Sequence, residues 1–113
     1  MSVKVDLDQL TDALADYTFA YLITVGNDYR AHTVAVDPVL RSGVLEMGDV
    51  GDTTARNVAD HPAITVVWPP REPGGYTLIV DGSGTLDGRA LAIAPDRAVL
   101  HRSAGNAHDC NPL

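Results

Sequence analysis

The chain has 113 residues, of which 45% are hydrophobic and 20% are charged, a composition typical of one soluble globular domain. Its net charge of −7, from 15 acidic and 8 basic side chains, argues against nucleic-acid binding, which depends on clustered Lys and Arg. No apolar run approaches the roughly 20 residues that cross a bilayer. The first ten residues lack a signal-peptide pattern, and the single cysteine, Cys110, excludes an internal disulfide. We therefore expect one cytoplasmic domain over 1–113 that binds neither nucleic acid nor a membrane.

The first half of the chain predicts one helix followed by three strands. Apolar residues repeat at helical spacing from Leu7 to Tyr17, behind Asp6 as a cap, which predicts an amphipathic helix over 7–17. The pattern then changes to β-rich runs separated by turn residues. The predicted strands cover 19–25, 31–37 and 44–47.

The second half predicts a short helix and a series of strands. The helix covers 53–60 and has to end near His61, because a residue that precedes proline is pushed out of helical geometry. Strands follow over 63–68, 76–86 and 89–94, and the last two are joined by the hairpin turn Asp87-Gly88.

The end of the chain leaves one strand boundary open. The long strand is expected to bend or bulge around Gly82 and Gly84. The run 97–102 either prolongs the last strand past Pro95 or forms a strand of its own, and the tail 103–113 carries no core pattern. About six short strands with two short helices predict a mainly β domain, a small antiparallel barrel or sandwich.

The segment GDVGDTTARNVADHP, residues 48–62, has two interpretations. Thr53, Thr54 and the free amides of a first helical turn could hold a phosphate, with Arg56 one turn away. Against this, Asp52 is a natural N-cap whose carboxylate would accept those same amides, and Asp49 is close by. A like-charge contact at about 4 Å costs on the order of 4 kcal/mol before screening, which exceeds a hydroxyl hydrogen bond of about 1 kcal/mol. The segment is therefore either a phosphate cradle or a capped surface helix.

Other constellations predict no metal site and no catalytic motif. The sequence contains neither a phosphate-binding loop nor a nucleophile elbow, and its four histidines lack the spacing of a zinc site. We interpret His108-Asp109-Cys110 as part of a solvated tail, since adjacent residues of an extended chain seldom chelate one ion. Trp68, at a strand end before Pro69-Pro70, either belongs to the core or lines a groove or subunit interface.

Three phrases, taken in order, resemble a known family. These phrases are FAYLITVGNDYRAHTVAV, then VLEMGDVGDTTARNVADHPAITVVWPP, then YTLIVDGSGTLDG. Through them the chain resembles the flavin-binding split-barrel family that includes pyridoxamine 5′-phosphate oxidase. The resemblance covers 17–102, and its most specific phrase is the short helix that ends in N-x-x-x-x-P, from Asn57 to Pro62. It implies a six-stranded antiparallel split β-barrel and a homodimer, here a short member of actinobacterial type. Such dimers bind FMN, or in some relatives the deazaflavin F420, in grooves at the subunit interface.

The resemblance also implies positions for a cofactor. Thr53, Thr54 and Arg56 would hold its phosphate or ribityl portion, and Trp68 would help to close the groove. His32 and Thr33 would border the ring, with His32 as the candidate proton donor, although no catalytic residue is assigned.

The departures from the family pattern bear on activity. Asp52-Thr53-Thr54 stands where the oxidase has a Ser-Arg-Lys phrase, and His32 and Asp37 replace two further basic residues. Oxidation of pyridoxamine phosphate itself is therefore not expected. Two functions stay open. One is an oxidoreductase that uses FMN or F420 on an unknown substrate, and the other is a non-catalytic split-barrel dimer that has lost flavin affinity and binds another small molecule or a protein partner.

Overall fold

A computed structural model describes residues 1–103. The predictions for the tail beyond Ser103, including those for His108 and Cys110, concern residues outside this range. A 3-10 turn, Leu7–Gln9, precedes the first helix. The elements are β1 (Ser2–Val5), α1 (Leu10–Leu14), β2 (Ala20–Val25), β3 (Ala31–Val36), β4 (Val39–Arg41), β5 (Val44–Asp49), α2 (Asp52–Asp60), β6 (Ala63–Trp68), β7 (Thr77–Asp87) and β8 (Ala90–His101).

The strands form one curled antiparallel sheet, a half-barrel. Its strand order is β3-β2-β6-β7-β8-β5-β4, so β3 and β4 lie at the two ends. The long strand β8 pairs with β7 along one edge, while its other edge pairs with β5 near the start and with β1 near the end. The predicted mainly β, antiparallel class is confirmed, and within residues 1–103 the sheet has eight strands where six were predicted.

The two additional strands are short and depend on their partners. β1 is only four residues long, and three of them are exposed, so its alternation of polar and apolar residues is too short to predict a strand without the pairing with β8, almost a whole chain away. β4 and β5 form a hairpin in which Arg41 pairs with Val44 across a two-residue turn. Both turn residues, Ser42 (φ 50°) and Gly43 (φ 78°), are left-handed, as the favoured two-residue hairpin turn requires.

The expected irregularity of the long hairpin is confirmed at Gly82. The pairing of β7 with β8 shifts between Asp81 and Gly82, so that Asp96 is an extra residue opposite them, and β8 continues past Pro95 as one strand. A Cβ on Gly82 would lie 2.5 Å from the backbone oxygen of Ala94, which is closer than any side chain allows. The bulge therefore requires glycine at this position.

The amino-terminal helix is shorter than the predicted 7–17. Leu7–Gln9 is a 3-10 turn, α1 ends at Leu14, and the side chain of Asp6 caps neither. Tyr17 lies beyond the helix, where its hydroxyl donates a 2.8 Å hydrogen bond to the carbonyl of Tyr76. This tertiary contact explains why the helical apolar spacing continues past the end of the helix.

The core lies on the concave face of the sheet, where alternate residues of β2, β6, β7 and β8 are buried together with Leu10 and Val58. Trp68 is 4% exposed and belongs to this core. The helix α2 is fixed to β2 by a buried hydrogen bond of 3.1 Å from the Asn57 amide to the Thr24 hydroxyl. None of the helices in residues 1–103 is long and apolar enough to cross a membrane.

Candidate functional site

A cavity of about 470 Å³ lies where the half-barrel fails to close, between the edge strand β3 and the start of α2. We call it the seam cavity. Its lining includes His32, Val34, Val36 and Asp37 on one side and Met47, Asp49, Val50 and residues 51–54 on the other. A volume of this size falls within the range of small-molecule sites.

The start of α2 presents free amides to the seam cavity. The N-cap is Gly51, with extended backbone angles, and no side chain caps the helix. The first helical bond runs from the Ala55 amide to the Gly51 carbonyl, at 2.9 Å. The amides of residues 52–54 thus have no acceptor within residues 1–103, and the positive end of the helix dipole lies among them. The expectation that Asp52 caps the helix is wrong, because Asp52 is its first helical residue.

The Thr54 hydroxyl is a buried polar group at the same place. Thr54 is 2% exposed, lines the seam cavity, and has no hydrogen-bond partner within the part of the chain that the structure describes. A buried hydroxyl left unpaired costs about 1–3 kcal/mol. This donor is therefore available to a ligand that enters the cavity.

Arg89 pairs with Asp52, the acidic residue at the start of α2. Its Nη2 contacts Oδ1 of Asp52, and its Nη1 donates to the carbonyl oxygen of Val50 at 3.2 Å. Its own carbonyl accepts the Val50 amide at 2.9 Å. Arg89 follows the Asp87-Gly88 turn and is 37 residues from Asp52 in sequence. Arg89 was not predicted from the sequence, because its place beside Asp52 depends on the pairing of β5 with β8. That pairing sets Asp49 opposite Ala90, next to Arg89.

The remaining charges of the seam cavity are acidic. Asp37 and Asp49 line it, and neither has an ion-pair partner within residues 1–103. His32 is half-buried on the β3 wall, on the same side of the strand as Val34 and Val36. The cavity thus combines a donor-rich helix start with two unneutralised carboxylates.

A second cavity of about 380 Å³ adjoins the first, and we call it the side cavity. His32 and Thr53 line both, whereas Arg56, Arg30 and Asn57 line only the side cavity. Arg56 forms no ion pair within residues 1–103, while Arg30 lies 3.9 Å from Asp28. A ligand at the helix start could thus meet a guanidinium on the side-cavity flank.

The structure brings together some of the predicted site residues and separates others. His32, Thr53 and Thr54 line the seam cavity, and Arg56 lies one cavity away. Thr33 is exposed on the opposite face of β3. Trp68 lines a different cavity, of about 310 Å³, between α1 and β4. Within one chain, therefore, neither Thr33 nor Trp68 reaches the helix start.

Comparison with known proteins identifies two relatives of similar sequence and several solved structures of similar fold. No protein-family model matches the chain. The uncharacterized proteins Mb0449c of Mycobacterium bovis and MT0457 of Mycobacterium tuberculosis are each 44% identical to it, over 95% of this chain and 93% of theirs.

The solved structures that resemble the chain share its fold at low identity. A pyridoxamine 5′-phosphate oxidase-like protein of Listeria innocua has a TM-score of 0.68 at 16% identity, covering 86% of this chain and 98% of its own. An FAD-binding protein of Mesorhizobium loti has a TM-score of 0.70 at 10% identity, covering 91% and 98%. An F420 reductase has a TM-score of 0.57 at 17% identity, covering 82% and 93%.

The chain has the split-barrel fold of these solved structures, as the three sequence phrases predicted. Among proteins with this fold, the chain belongs to the family of the mycobacterial proteins Mb0449c and MT0457.

Proposed function

We propose that the protein binds FMN or F420 in the seam cavity, with the phosphate of the cofactor at the start of α2. The observation that carries the proposal is the uncapped first turn of α2 beside the buried, unpartnered hydroxyl of Thr54. Similar folds belong to proteins described as FAD-binding and as an F420 reductase, which agrees with this ligand class.

Each side chain has a role set by its position. The Thr53 and Thr54 hydroxyls and the amides of residues 52–54 would donate to phosphate oxygens. Arg56 would approach the phosphate or the ribityl chain from the side cavity. Val34 and Val36 form the apolar wall of β3 on which a ring could lie.

A bound flavin or deazaflavin would supply hydride transfer, which makes the proposed activity an oxidoreduction. The contribution of the chain is to bind and orient the ring and to limit its access to water. His32 is the titratable side chain on the β3 wall, between the two cavities, and is the candidate donor of a proton to a substrate.

We also propose that the protein is a homodimer formed through the convex face of the sheet. On the face opposite the core, the strand register aligns an apolar row across five strands: Ala35, Tyr21, Val67, Ile79 and Val99. Tyr21 is 39% exposed and stacks edge-on with Phe19, which is 45% exposed. An apolar row of this kind suits a second copy of the chain, in which the same row faces itself about a two-fold axis. Light scattering should give twice the chain mass, and Tyr21→Lys should give monomers; a monomeric parent protein would contradict the dimer.

Cofactor binding can be tested directly. Protein purified from a flavin-replete host is inspected for a flavin absorbance band, and the apoprotein is titrated with FMN and with F420. Micromolar or tighter binding of either one supports the proposal. A colourless protein that binds neither at micromolar concentration contradicts it.

One observation favours a second candidate function. Asp37 and Asp49 line the cavity without a cationic partner in residues 1–103, and uncompensated carboxylates oppose a phosphate. The alternative is a non-catalytic dimer that has lost flavin affinity and holds a neutral or cationic small molecule, or a protein partner. Failure of both titrations, together with a stable dimer, would favour it.

A further inference from the structure

Three contacts tie Arg89 to the loop before α2. Its guanidinium holds the Asp52 carboxylate and the Val50 carbonyl, and its backbone carbonyl holds the Val50 amide. The loop is thus attached to the β7–β8 turn through both backbone and side chain. No other arginine in residues 1–103 donates a side-chain hydrogen bond to a backbone carbonyl.

The position of Asp52 makes this attachment important for an anion. Asp52 is the first residue of α2, and its backbone amide belongs to the set that faces the seam cavity. A bare carboxylate there would repel a phosphate. The Arg89 and Asp52 side chains are 51% and 79% exposed, and contact with Arg89 balances the charge of the carboxylate.

We propose that Arg89 is a positioning residue, which fixes the loop from Val50 to Asp52 and neutralises Asp52 so that the start of α2 can accept a phosphate group. The inference rests on the proposed cofactor function, but it makes a narrower claim about which anion-bearing ligands bind and why. It also explains how an acidic residue can stand where the oxidase family carries a basic phrase.

Four variants separate neutralisation from simple structural support. Arg89→Met leaves Asp52 bare, Asp52→Asn removes the carboxylate, and the double variant removes both charges. Arg89→Lys keeps the charge but loses the forked geometry. The matched control is Arg41→Met, which breaks an exposed ion pair with Glu46 of 3.2 Å on the β4–β5 hairpin, away from the cavity.

Affinities for FMN and for riboflavin, which lacks the phosphate, are measured for each variant at low salt. Arg89→Met should weaken FMN binding about fivefold and leave riboflavin binding unchanged, the upper end of the scale for one exposed ion pair. Asp52→Asn should bind FMN at least as tightly as the parent, and the double variant should recover to within about twofold. Arg89→Lys should lie within about threefold of the parent, and Arg41→Met should bind as the parent does.

Inorganic phosphate provides a second probe that does not depend on flavin binding. In a ¹⁵N NMR titration of the parent protein, phosphate should shift the amides of residues 52–54, and Arg89→Met should weaken that response. Phosphate binding without flavin binding would overturn the cofactor proposal alone, and the phosphate series would then decide the role of Arg89.

Other results would overturn the role of Arg89. These are an equal loss of FMN and riboflavin binding in Arg89→Met, a double variant that does not recover, or a parent protein whose 52–54 amides ignore phosphate. If Arg89→Met does not fold, the Asp52→Asn and Arg89→Lys affinities decide, because weaker FMN binding by Asp52→Asn contradicts neutralisation.

Discussion

Thr54→Val should change stability and cofactor affinity in opposite directions. Thr54 is 2% exposed and its hydroxyl has no partner in residues 1–103, so the apoprotein bears the cost of burying it unpaired. Valine has the same shape without the polar group and the same β-branched constraint in a helix. Removing an unsatisfied buried hydroxyl should therefore raise the free energy of unfolding by about 1 kcal/mol.

The same substitution deletes a donor that the proposed site uses. Loss of one hydrogen bond to a phosphate oxygen should weaken FMN binding by about 1–2 kcal/mol, roughly a five- to thirtyfold rise in Kd. Urea unfolding of the apoprotein measures the first effect, and an FMN titration measures the second.

Thr24→Val is the matched control for this experiment. Thr24 is also fully buried, but its hydroxyl accepts the Asn57 amide at 3.1 Å. The substitution should therefore lower the free energy of unfolding by about 1–3 kcal/mol, because it leaves a buried amide unpaired. A Thr54→Val protein that is destabilised to the same degree would refute the reasoning, as would one that binds FMN with unchanged affinity.

Three further substitutions test the fold and the charges of the site. Gly82→Ala should lower the free energy of unfolding by more than about 2 kcal/mol in a urea titration, because its Cβ would lie 2.5 Å from the backbone oxygen of Ala94. A change below about 0.5 kcal/mol, the scale of a surface substitution, would contradict the close approach. Burial raises the pKa of Tyr17, and the charge of Asp16 adds to this increase. The stability that the protonated hydroxyl contributes is therefore complete below pH 10 and is lost as the pH rises through the higher pKa of the folded protein. Unfolding measured from pH 8 to 11 should show this loss, and Tyr17→Phe should flatten it; an equal alkaline slope in both proteins would point to other groups. Asp49→Asn should tighten FMN binding about two- to fivefold at low salt. The substitution should have no effect near 1 M salt, where charges are screened within about 3 Å. A gain in affinity that persists at high salt would rule out a Coulombic cause.

Local signals in the sequence predicted much of the sheet and its second helix. The Asp87-Gly88 turn and the stop before Pro62 depend on the conformations of a few neighbouring residues, and the structure has the corresponding hairpin and helix end. The predicted length of the amino-terminal helix was wrong because it depended on a distant contact. Its spacing continued to Tyr17, but a contact with the distant Tyr76 carbonyl placed that residue outside the helix.

The candidate site was only partly predictable. Thr53 and Thr54 follow from the position of a helix start, and His32 follows from the strand that the family resemblance sets beside the ring. Trp68 is an example of an ambiguity that only packing resolves, since a strand-end tryptophan suits a groove as well as a core, and here it is buried. Arg89 had no local signal, because its role depends on which strands are neighbours.

The sequence by itself determined the segment GDVGDTTARNVADHP as a helix start with hydroxyls and acidic residues, because these are properties of adjacent residues. Only the tertiary structure decided what the acidic residue does there. The antiparallel pairing of β8 with β5 brings Arg89 against Asp52 across 37 residues of chain, which pairs the carboxylate with a guanidinium. Whether a helix start is open to an anion depends on such long-range partners, and short-range patterns do not record them.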